Sequence, residues 1–238
     1  MDELFGKLAE RIEQTNKQYD MERIEKAYQL AKRAHEGTLR RSGEPYIVHP
    51  VSAAIILVEL GMDTDSIVAA LLHDVVEDTD VTLDEIKKEF GQEVSLLVDG
   101  VTKLGRIPFS SRERQQAENV RKMLLAMAQD VRVIIIKLAD RLHNARTFGS
   151  LPDEKRRMKA LETMEVYAPL AHRLGIRGVK EELEDISIKY LDPIAYADIE
   201  KQLDMRKEER EAFLQRIIAR IQRRLDNEHI HAQIDGRV

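Results

Sequence analysis

The stretch from residue 67 to residue 80 constrains the fold of this chain more than any other. Residues 67–72 are all apolar, and they follow Asp63-Thr64, a typical start signal of a helix. The next eight residues add one imidazole and four carboxylates: His73, Asp74, Glu77, Asp78 and Asp80. If the helix continues, His73 and Glu77 lie one turn apart, and so do Asp74 and Asp78, so the acidic groups converge.

This convergence of acidic groups does not favour folding by itself. Like charges one turn apart cost a helix about 0.2–0.5 kcal/mol per pair, and acids near a helix C-terminus oppose its dipole. A bound cation would remove both costs. For the His-Asp pair alone, however, a solvated acidic helix end is the more common explanation. The hypothesis of a metal site therefore needs further ligands from elsewhere in the chain.

Composition narrows the class of protein. The chain has 238 residues, enough for one large or two small domains, and 34% of them are charged, above the roughly 25% of ordinary globular chains. A net charge of −5 is too small to imply a general nucleic-acid or membrane partner. The absence of cysteine excludes disulfides, thiolate zinc sites and thiol nucleophiles. No apolar stretch reaches the length of a membrane span and the N-terminus lacks the plan of a signal peptide, so we expect a cytoplasmic protein.

Helical spacing and capping residues recur along the chain and predict an all-α fold. One predicted helix starts after Asp63 and carries His73 and Asp74, and the others cover about residues 4–16, 20–37, 50–61, 82–90, 114–128, 131–147, 152–172, 178–191 and 193–227. Residues 131–136 are β-branched except for Arg132, but the helical pattern continues to 147 without a breaker, which favours a helix. Pro169 is expected to kink its helix. Loops are predicted at 38–49 and 104–113, and residues 231–238 alternate like the start of a strand.

Three further positions complete a candidate metal site. His49 stands before Pro50, His73 and Asp74 are adjacent, and Asp140 lies on the predicted helix 131–147. Two imidazoles with two carboxylates suit Mn²⁺, Fe²⁺ or Zn²⁺ better than Mg²⁺ or Ca²⁺, which favour oxygen ligands. Adjacent helical residues point about 100° apart, so His73 and Asp74 reach one ion only at a helix end or with the ion between their directions.

The order His, His-Asp, Asp resembles the signature of the HD superfamily of metal-dependent phosphohydrolases. The stretches that extend the resemblance to the hydrolase domain of the Rel/SpoT synthetase-hydrolases are residues 41–46, 73–79, 98–104, 137–144 and 167–176. The resemblance runs in register over residues 24–191. It implies an HD-type helical domain at 1–192, then a helical linker and the truncated start of a synthetase domain at 193–238. The partners it implies are the synthetase and regulatory domains of the full-length chain.

The resemblance also implies an activity. Family members hydrolyse the 3′-diphosphate of the alarmone (p)ppGpp to GDP or GTP and pyrophosphate, usually with Mn²⁺. The implied metal ligands are His49, His73, Asp74 and Asp140. Glu77 and Asp78 lie one turn beyond the ligand pair, and we assign them jointly as the acid/base pair. Which of them is the acid stays open, because two coupled carboxylates titrate as a pair. No synthetase activity is expected, because the catalytic residues of that domain are absent.

Nucleotide contacts are predicted on the loop before His49. Arg40 and Arg41 can pair with phosphate or stack on a base. By similarity to the family, Ser42 and Tyr46 border the guanine nucleotide from the same loop, and Asn144 and Thr147 reach it from the Asp140 helix. His143 is interpreted either as a support of the site or as a core or capping residue, and His172 as structural.

Two alternatives to this function remain. The chain could be an HD phosphohydrolase for another nucleotide, such as NADPH, or a catalytically silent regulatory module. The complete set of candidate ligands and acids argues against the silent module.

Overall fold

The computed structural model describes residues 2–105, 130–204 and 207–228, together with Ile230, Ala232 and Ile234. The predicted helix at 114–128 and most of the predicted loop at 104–113 lie outside this part of the chain. The first two residues of that predicted loop, Leu104 and Gly105, belong to a helix. The strand-like pattern at 231–238 also lies almost entirely outside it.

The described residues are mainly helical, and no strand occurs among them. The α-helices, in chain order, are α1 Glu3–Glu13, α2 Met21–Ala34, α3 Val48–Glu59, α4 Thr64–Leu72, α5 Val75–Asp78, α6 Leu83–Phe90, α7 Gln92–Gly105, α8 Val131–Arg146, α9 Asp153–Glu162, α10 Ala168–Arg173, α11 Arg177–Leu191, α12 Pro193–Asp204 and α13 Lys207–Asn227. A 3₁₀ turn covers Phe148–Ser150, and a π-helix covers Thr163–Tyr167. The predicted all-α class is confirmed. Among the described helices, none combines the length and apolar character needed to cross a membrane.

Local capping signals place several helix starts where the sequence predicts them. Asp20 and Asp63 accept hydrogen bonds from backbone N–H groups at the starts of α2 and α4. Thr82 and Glu85 form a complete capping box at the start of α6. The β-branched run at 131–136 is helical, and Asp130 caps it. These starts are determined locally because each cap satisfies N–H groups that have no partner inside the helix.

The core forms where α3 and α4 pack against each other and against α8, with α2 and α7 on the flanks of α4. Apolar side chains on all five helices are fully buried, including Tyr28, Leu57, Leu71, Leu97 and Ile136. The N-terminus of α3, the C-terminus of α4 and the middle of α8 therefore come together. These are the elements that carry the candidate metal ligands.

The start of α3 differs from the prediction. The helix begins at Val48, so Pro50 is its third residue and His49 lies on the helix rather than in the preceding loop. The reason is a tight turn, in which the N–H groups of Val48 and His49 bond to the carbonyl oxygens of Pro45 and Tyr46. Pro50 is tolerated because N–H groups in the first turn have no intrahelical partner.

The helix of His73 also differs from the prediction. It ends at Leu72, and a new short helix, α5, begins at Val75, with His73 as the C-cap of the first and Asp74 as the N-cap of the second. His73 and Glu77 are therefore not residues of one continuous helix, and neither are Asp74 and Asp78. Both residues keep near-helical backbone angles, so the pair stands at a helix end, one of the two arrangements in which His73 and Asp74 can reach one ion.

The interruption around Pro169 starts earlier than predicted. The chain widens into the π-helix Thr163–Tyr167, in which the N–H of Ala168 bonds to the carbonyl oxygen of Thr163. Pro169 is then the second residue of α10, where its missing N–H costs little. Tyr167, the last residue of the π-helix, lines a cavity described below.

The chain divides into two compact units, residues 1–187 and 188–238. The boundary predicted after residue 192 lies five residues away and stays a prediction. In the second unit, the structure has α12 and α13 where the sequence predicts one long helix. Residues 205 and 206 between them are outside the described part.

Candidate metal centre and adjoining cavity

Three buried side chains, His49, His73 and Asp140, bring their donor atoms within 4.8 Å of one another. The Nε2 atom of His49 lies 3.2 Å from Oδ1 of Asp140 and 3.4 Å from Oδ2 of Asp74. The Nε2 atom of His73 lies 3.1 Å from Oδ1 of Asp74. Bonds of about 2.1 Å to one ion place neighbouring ligand atoms about 3.0–3.4 Å apart. His49, His73 and Asp140 thus converge at spacings that suit one divalent ion, and Asp74 contacts both histidines, through a different oxygen for each, without belonging to this group of three.

The orientation of His73 supports this interpretation. Its Nδ1 atom donates a hydrogen bond to the carbonyl oxygen of Ala70 at 2.7 Å. Its Nε2 atom is buried and has no hydrogen-bond partner. A histidine that donates from one ring nitrogen and turns the other, unpaired, towards carboxylates has the arrangement of a metal ligand. The donor set therefore fits a divalent cation.

Asp140 is almost fully buried, and its charge is balanced from two directions. Oδ2 pairs with Nζ of Lys137 at 2.6 Å, and Oδ1 accepts a hydrogen bond from Nδ2 of Asn144 at 2.5 Å. Burial, the largest influence, raises the pKa of Asp140, but the charge of Lys137, the next influence, lowers it, and that pKa is held well below its usual range. Asp140 is consequently available as an anionic ligand.

His143, one turn after Asp140, contacts the site directly. Its Nδ1 atom lies 2.8 Å from Nδ1 of His49 and 3.0 Å from Nη1 of Arg40. Burial, followed by the neighbouring His49 and Arg40, lowers the pKa of His143 to about 3, so the ring is neutral at physiological pH. A second nitrogen of Arg40 donates to Oδ1 of Asn144 at 2.5 Å. The predicted nucleotide-binding loop therefore reaches the surroundings of two candidate ligands.

Tyr46 links the metal cluster to the predicted acid/base pair. Its hydroxyl lies 2.9 Å from Oδ2 of Asp74 and 2.9 Å from Oδ2 of Asp78, and it can donate to one of them at a time. Burial first, then the charges of Asp74 and Asp78, raises the pKa of Tyr46, so the phenol stays protonated. The ring stacks on buried His35 at a centroid distance of 4.4 Å. Glu77 and Asp78 are both exposed on α5.

A cavity of about 660 Å³ adjoins the cluster and shares Asp140 with it. All six predicted nucleotide-binding residues line this cavity: Arg40, Arg41, Ser42, Tyr46, Asn144 and Thr147. The structure therefore brings the predicted metal ligands and the predicted substrate contacts to adjoining places, although they are separated by up to about a hundred residues in the chain.

The far wall of the cavity was not predicted. It includes five charged or aromatic side chains: Lys137, Arg141, Lys159, Glu162 and Tyr167. The guanidinium of Arg141 lies over the ring of Tyr167 at 4.1 Å and pairs with Glu162 at 3.0 Å. Lys137 and Arg141, close to Asp140 on α8, were the only sequence signal for this wall. Nothing in the sequence brings α9 and the π-helix next to α8.

Comparisons with known proteins identify the family of this chain. A family model described as HD domain matches residues 27–177. The chain is 50% identical over 208 residues to a guanosine-3′,5′-bis(diphosphate) 3′-pyrophosphohydrolase of Haemophilus influenzae, which covers 87% of this chain and 31% of that protein. It is 46% identical over 234 residues to the bifunctional (p)ppGpp synthase/hydrolase SpoT of Escherichia coli, which covers 98% of this chain and 33% of that protein.

A solved structure supports the fold. It is that of a metazoan ortholog of SpoT that hydrolyses ppGpp, with a TM-score of 0.56, 30% sequence identity, and coverage of 71% of this chain and 96% of that chain. This chain spans about a third of the length of the curated relatives it matches. With more than half of its residues matched by the family model, and with His49, His73 and Asp140 brought together, the chain belongs to the HD domain family.

Proposed function

We propose that this chain hydrolyses the 3′-diphosphate of (p)ppGpp to pyrophosphate and GDP or GTP, with Mn²⁺ held by His49, His73, Asp74 and Asp140. One observation carries the proposal. Asp140 belongs both to the metal cluster and to the wall of a cavity that all six predicted nucleotide contacts line. A phosphate bound at the cluster would therefore belong to a ligand that extends along these six residues.

The relatives support the substrate. Proteins at 46–50% identity are named for (p)ppGpp hydrolysis, and the metazoan structure is of a protein that hydrolyses ppGpp. Because this chain spans only about a third of the curated relatives, their whole activity is carried over here as a proposal. No synthetase activity is proposed.

The metal would supply Lewis-acid stabilisation of a phosphate oxygen and a lower pKa for water. The chain would supply the proton transfers. Asp78 and Glu77 lie just beyond the ligand pair on α5, and the hydroxyl of Tyr46 lies within hydrogen-bond distance of Asp78. A donated hydrogen bond holds a carboxylate in one orientation, which a proton acceptor needs. Which of the two acids donates a proton and which accepts one remains open.

Nucleotide binding would rest on the loop between α2 and α3. Arg41 is exposed at the cavity and makes no hydrogen bond or ion pair with other described residues, so its charge is available to a phosphate. Arg40 is engaged with His143 and Asn144. Ser42, Tyr46 and Thr147 add hydroxyl groups around the cavity.

Mn²⁺ is the proposed metal because the donor set mixes imidazole nitrogen with carboxylate oxygen. Such a set suits Mn²⁺, Fe²⁺ or Zn²⁺ better than Ca²⁺ or Mg²⁺. We also propose a cytoplasmic location, where the nucleotide substrate is found.

The test is pyrophosphate release from ppGpp by chelator-treated protein, with and without added Mn²⁺, beside a His73→Ala/Asp74→Ala double variant. Release that needs Mn²⁺ and disappears in the double variant would establish the activity and the ligand pair together. The same assay with pppGpp and NADPH decides between a (p)ppGpp hydrolase and a hydrolase of another nucleotide. A wild-type chain that binds Mn²⁺ but hydrolyses none of these would favour a silent regulatory module.

A further inference from the structure

The contact between His143 and His49 indicates which ring nitrogen of His49 carries a proton. His143 is buried on α8, and a single atom of it, Nδ1, faces both Nη1 of Arg40 at 3.0 Å and Nδ1 of His49 at 2.8 Å. Nη1 of Arg40 and Nδ1 of His49 therefore both face the same ring nitrogen of His143. The hydrogen-bonding capacity of each group decides which atoms donate and which accepts.

Arg40 can only donate, because a guanidinium has no acceptor and stays protonated in proteins. Its hydrogen bond therefore requires that Nδ1 of His143 carries a lone pair and no proton. His49, which is closer, faces the same lone pair. A 2.8 Å contact between two ring nitrogens is a hydrogen bond only if one of them is protonated, so Nδ1 of His49 must be the donor.

This assignment decides which nitrogen His49 presents to the cluster. With its proton on Nδ1, neutral His49 has its lone pair on Nε2, the atom that lies 3.2 Å from Asp140 and 3.4 Å from Asp74. The other tautomer would point an N–H into the centre, where a cation could not bind. A partner on the remote nitrogen commonly determines the tautomer of a ligand histidine.

Arg40 supports a second ligand in a parallel way. Its Nη2 atom donates to Oδ1 of Asn144, which orients the amide so that Nδ2 donates to Oδ1 of Asp140. Arg40 therefore supports His49 through His143 and Asp140 through Asn144. The contact through Asn144 does not depend on a tautomer, so substitutions at positions 143 and 144 test the two supports separately.

We infer that His143 is a positioning residue that, with Arg40, holds His49 in the tautomer whose Nε2 atom binds the metal ion. The inference rests on the proposed metal centre, but it concerns a residue that is not a ligand. It predicts that metal affinity depends on a hydrogen-bond acceptor at position 143 rather than on the volume of the side chain.

The test compares His143→Asn with His143→Leu. Asparagine can place an amide oxygen near the position of the imidazole Nδ1 atom, whereas leucine fills similar space without an acceptor. We expect the dissociation constant for Mn²⁺, measured by calorimetric titration of chelator-treated protein, to rise about 10–100-fold in His143→Leu and to stay close to wild type in His143→Asn. His172→Leu removes an exposed histidine on α10 and serves as the control, with unchanged affinity.

A second measurement does not depend on metal binding. Long-range ¹H–¹⁵N correlation spectra of histidine-labelled, metal-free protein should show a protonated Nδ1 on His49 in the wild type and in His143→Asn. Wild-type affinity in His143→Leu, equal losses in both variants, or an unprotonated Nδ1 on wild-type His49 would overturn the inference. A wild-type chain that binds no Mn²⁺ would contradict the proposed metal centre, and the spectra would then decide the inference alone.

Discussion

His73 donates a hydrogen bond from Nδ1 to the carbonyl oxygen of Ala70, one turn earlier in the chain, at 2.7 Å. The bond leaves Nε2 as a buried nitrogen without a partner at the end of α4. A buried polar atom that lacks a partner costs about 1–3 kcal/mol. A ligand that occupies this position would remove the cost, so the protein should be more stable with metal than without it.

Metal binding should therefore raise thermal stability. At a Mn²⁺ concentration one hundred times the dissociation constant, the free energy of unfolding should increase by about 2.7 kcal/mol. This corresponds to a rise of about 5–10 °C in Tm for a chain of this size. Calorimetric melting of chelator-treated protein with and without Mn²⁺ measures it. His73→Ala should abolish most of the rise and His172→Leu should preserve it, whereas an equal rise in His73→Ala would exclude His73 as a ligand.

Tyr46→Phe should slow catalysis without removing the ring that stacks on His35. The substitution deletes the hydroxyl that lies 2.9 Å from both Asp74 and Asp78. Loss of such a support commonly costs about 10–100-fold in activity or metal affinity. Steady-state kinetics of pyrophosphate release should show the loss mainly in kcat.

Tyr28→Phe is the matched control for this prediction. Tyr28 also donates to a carboxylate, that of Asp2 at 2.7 Å, but neither residue belongs to the metal cluster or lines the adjoining cavity. Its kcat should be that of the wild type. If the two variants lose activity equally, the hydroxyl of Tyr46 has no specific role.

Arg41→Gln should weaken substrate binding and leave the fold unchanged. Arg41 is exposed at the cavity and has no hydrogen bond or ion pair within the described part of the chain. A hydrogen bond to a charged group contributes about 1.5–3 kcal/mol, so KM should rise by about 10–100-fold with little change in Tm. Arg33→Gln, an exposed arginine on α2, is the control. An unchanged KM in Arg41→Gln would remove Arg41 from the proposed binding site.

Glu162→Gln should destabilise the protein in a pH-dependent way. Glu162 is buried against Arg141 at 3.0 Å, and Lys159 approaches it at 2.9 Å. Burial, the largest influence, raises the pKa of Glu162, but the charges of Arg141 and Lys159 outweigh it and lower that pKa overall. Breaking a buried ion pair by removing one partner costs about 3–5 kcal/mol, which we expect for the free energy of unfolding at pH 7.

The pH dependence follows from the sign of this pKa shift. Because the folded pKa of Glu162 is lower than its unfolded value of about 4.3, the carboxylate stabilises the fold above that value, and the stabilisation is lost as pH falls through the folded pKa. Urea unfolding at pH 7 and at pH 3 should therefore show a smaller difference between wild type and Glu162→Gln at the lower pH. Glu3→Gln, which loses only an exposed pair with Lys7, should change stability by less than about 0.5 kcal/mol.

Gly100→Ala should destabilise the packing of α7 against α8. A Cβ atom at Gly100 would lie 2.8 Å from Cγ2 of Val133, a β-branched side chain with little rotamer freedom in a helix. Overpacking of this kind costs about 1–3 kcal/mol, measurable by urea unfolding. Gly6→Ala, on α1 with open space around it, should instead stabilise by up to about 1 kcal/mol. A stabilising effect of Gly100→Ala would show that the helices can separate without cost.

Local features of the fold were predictable because they depend on residues within one turn. The cap residues Asp20 and Asp63 and the capping box from Thr82 to Glu85 satisfy N–H groups beside them in the chain, so they are visible without tertiary structure. The candidate ligands were also predictable, because their types and order carry the signal of a metal site. The break between His73 and Asp74 was not, since their neighbours in the chain are equally compatible with a continuous helix.

The sequence by itself determined the all-α class, most helix starts and the residues proposed as metal ligands. Only the tertiary structure decided how these residues are supported: that His143 faces both Arg40 and His49, that Tyr46 reaches Asp78, and that Glu162 and Arg141 close the far wall of the cavity. The physical reason is distance along the chain. Capping and helical spacing act within a few residues, whereas each of these contacts joins elements far apart in the chain, two helices or a helix and the loop between α2 and α3, that packing of the core brings together.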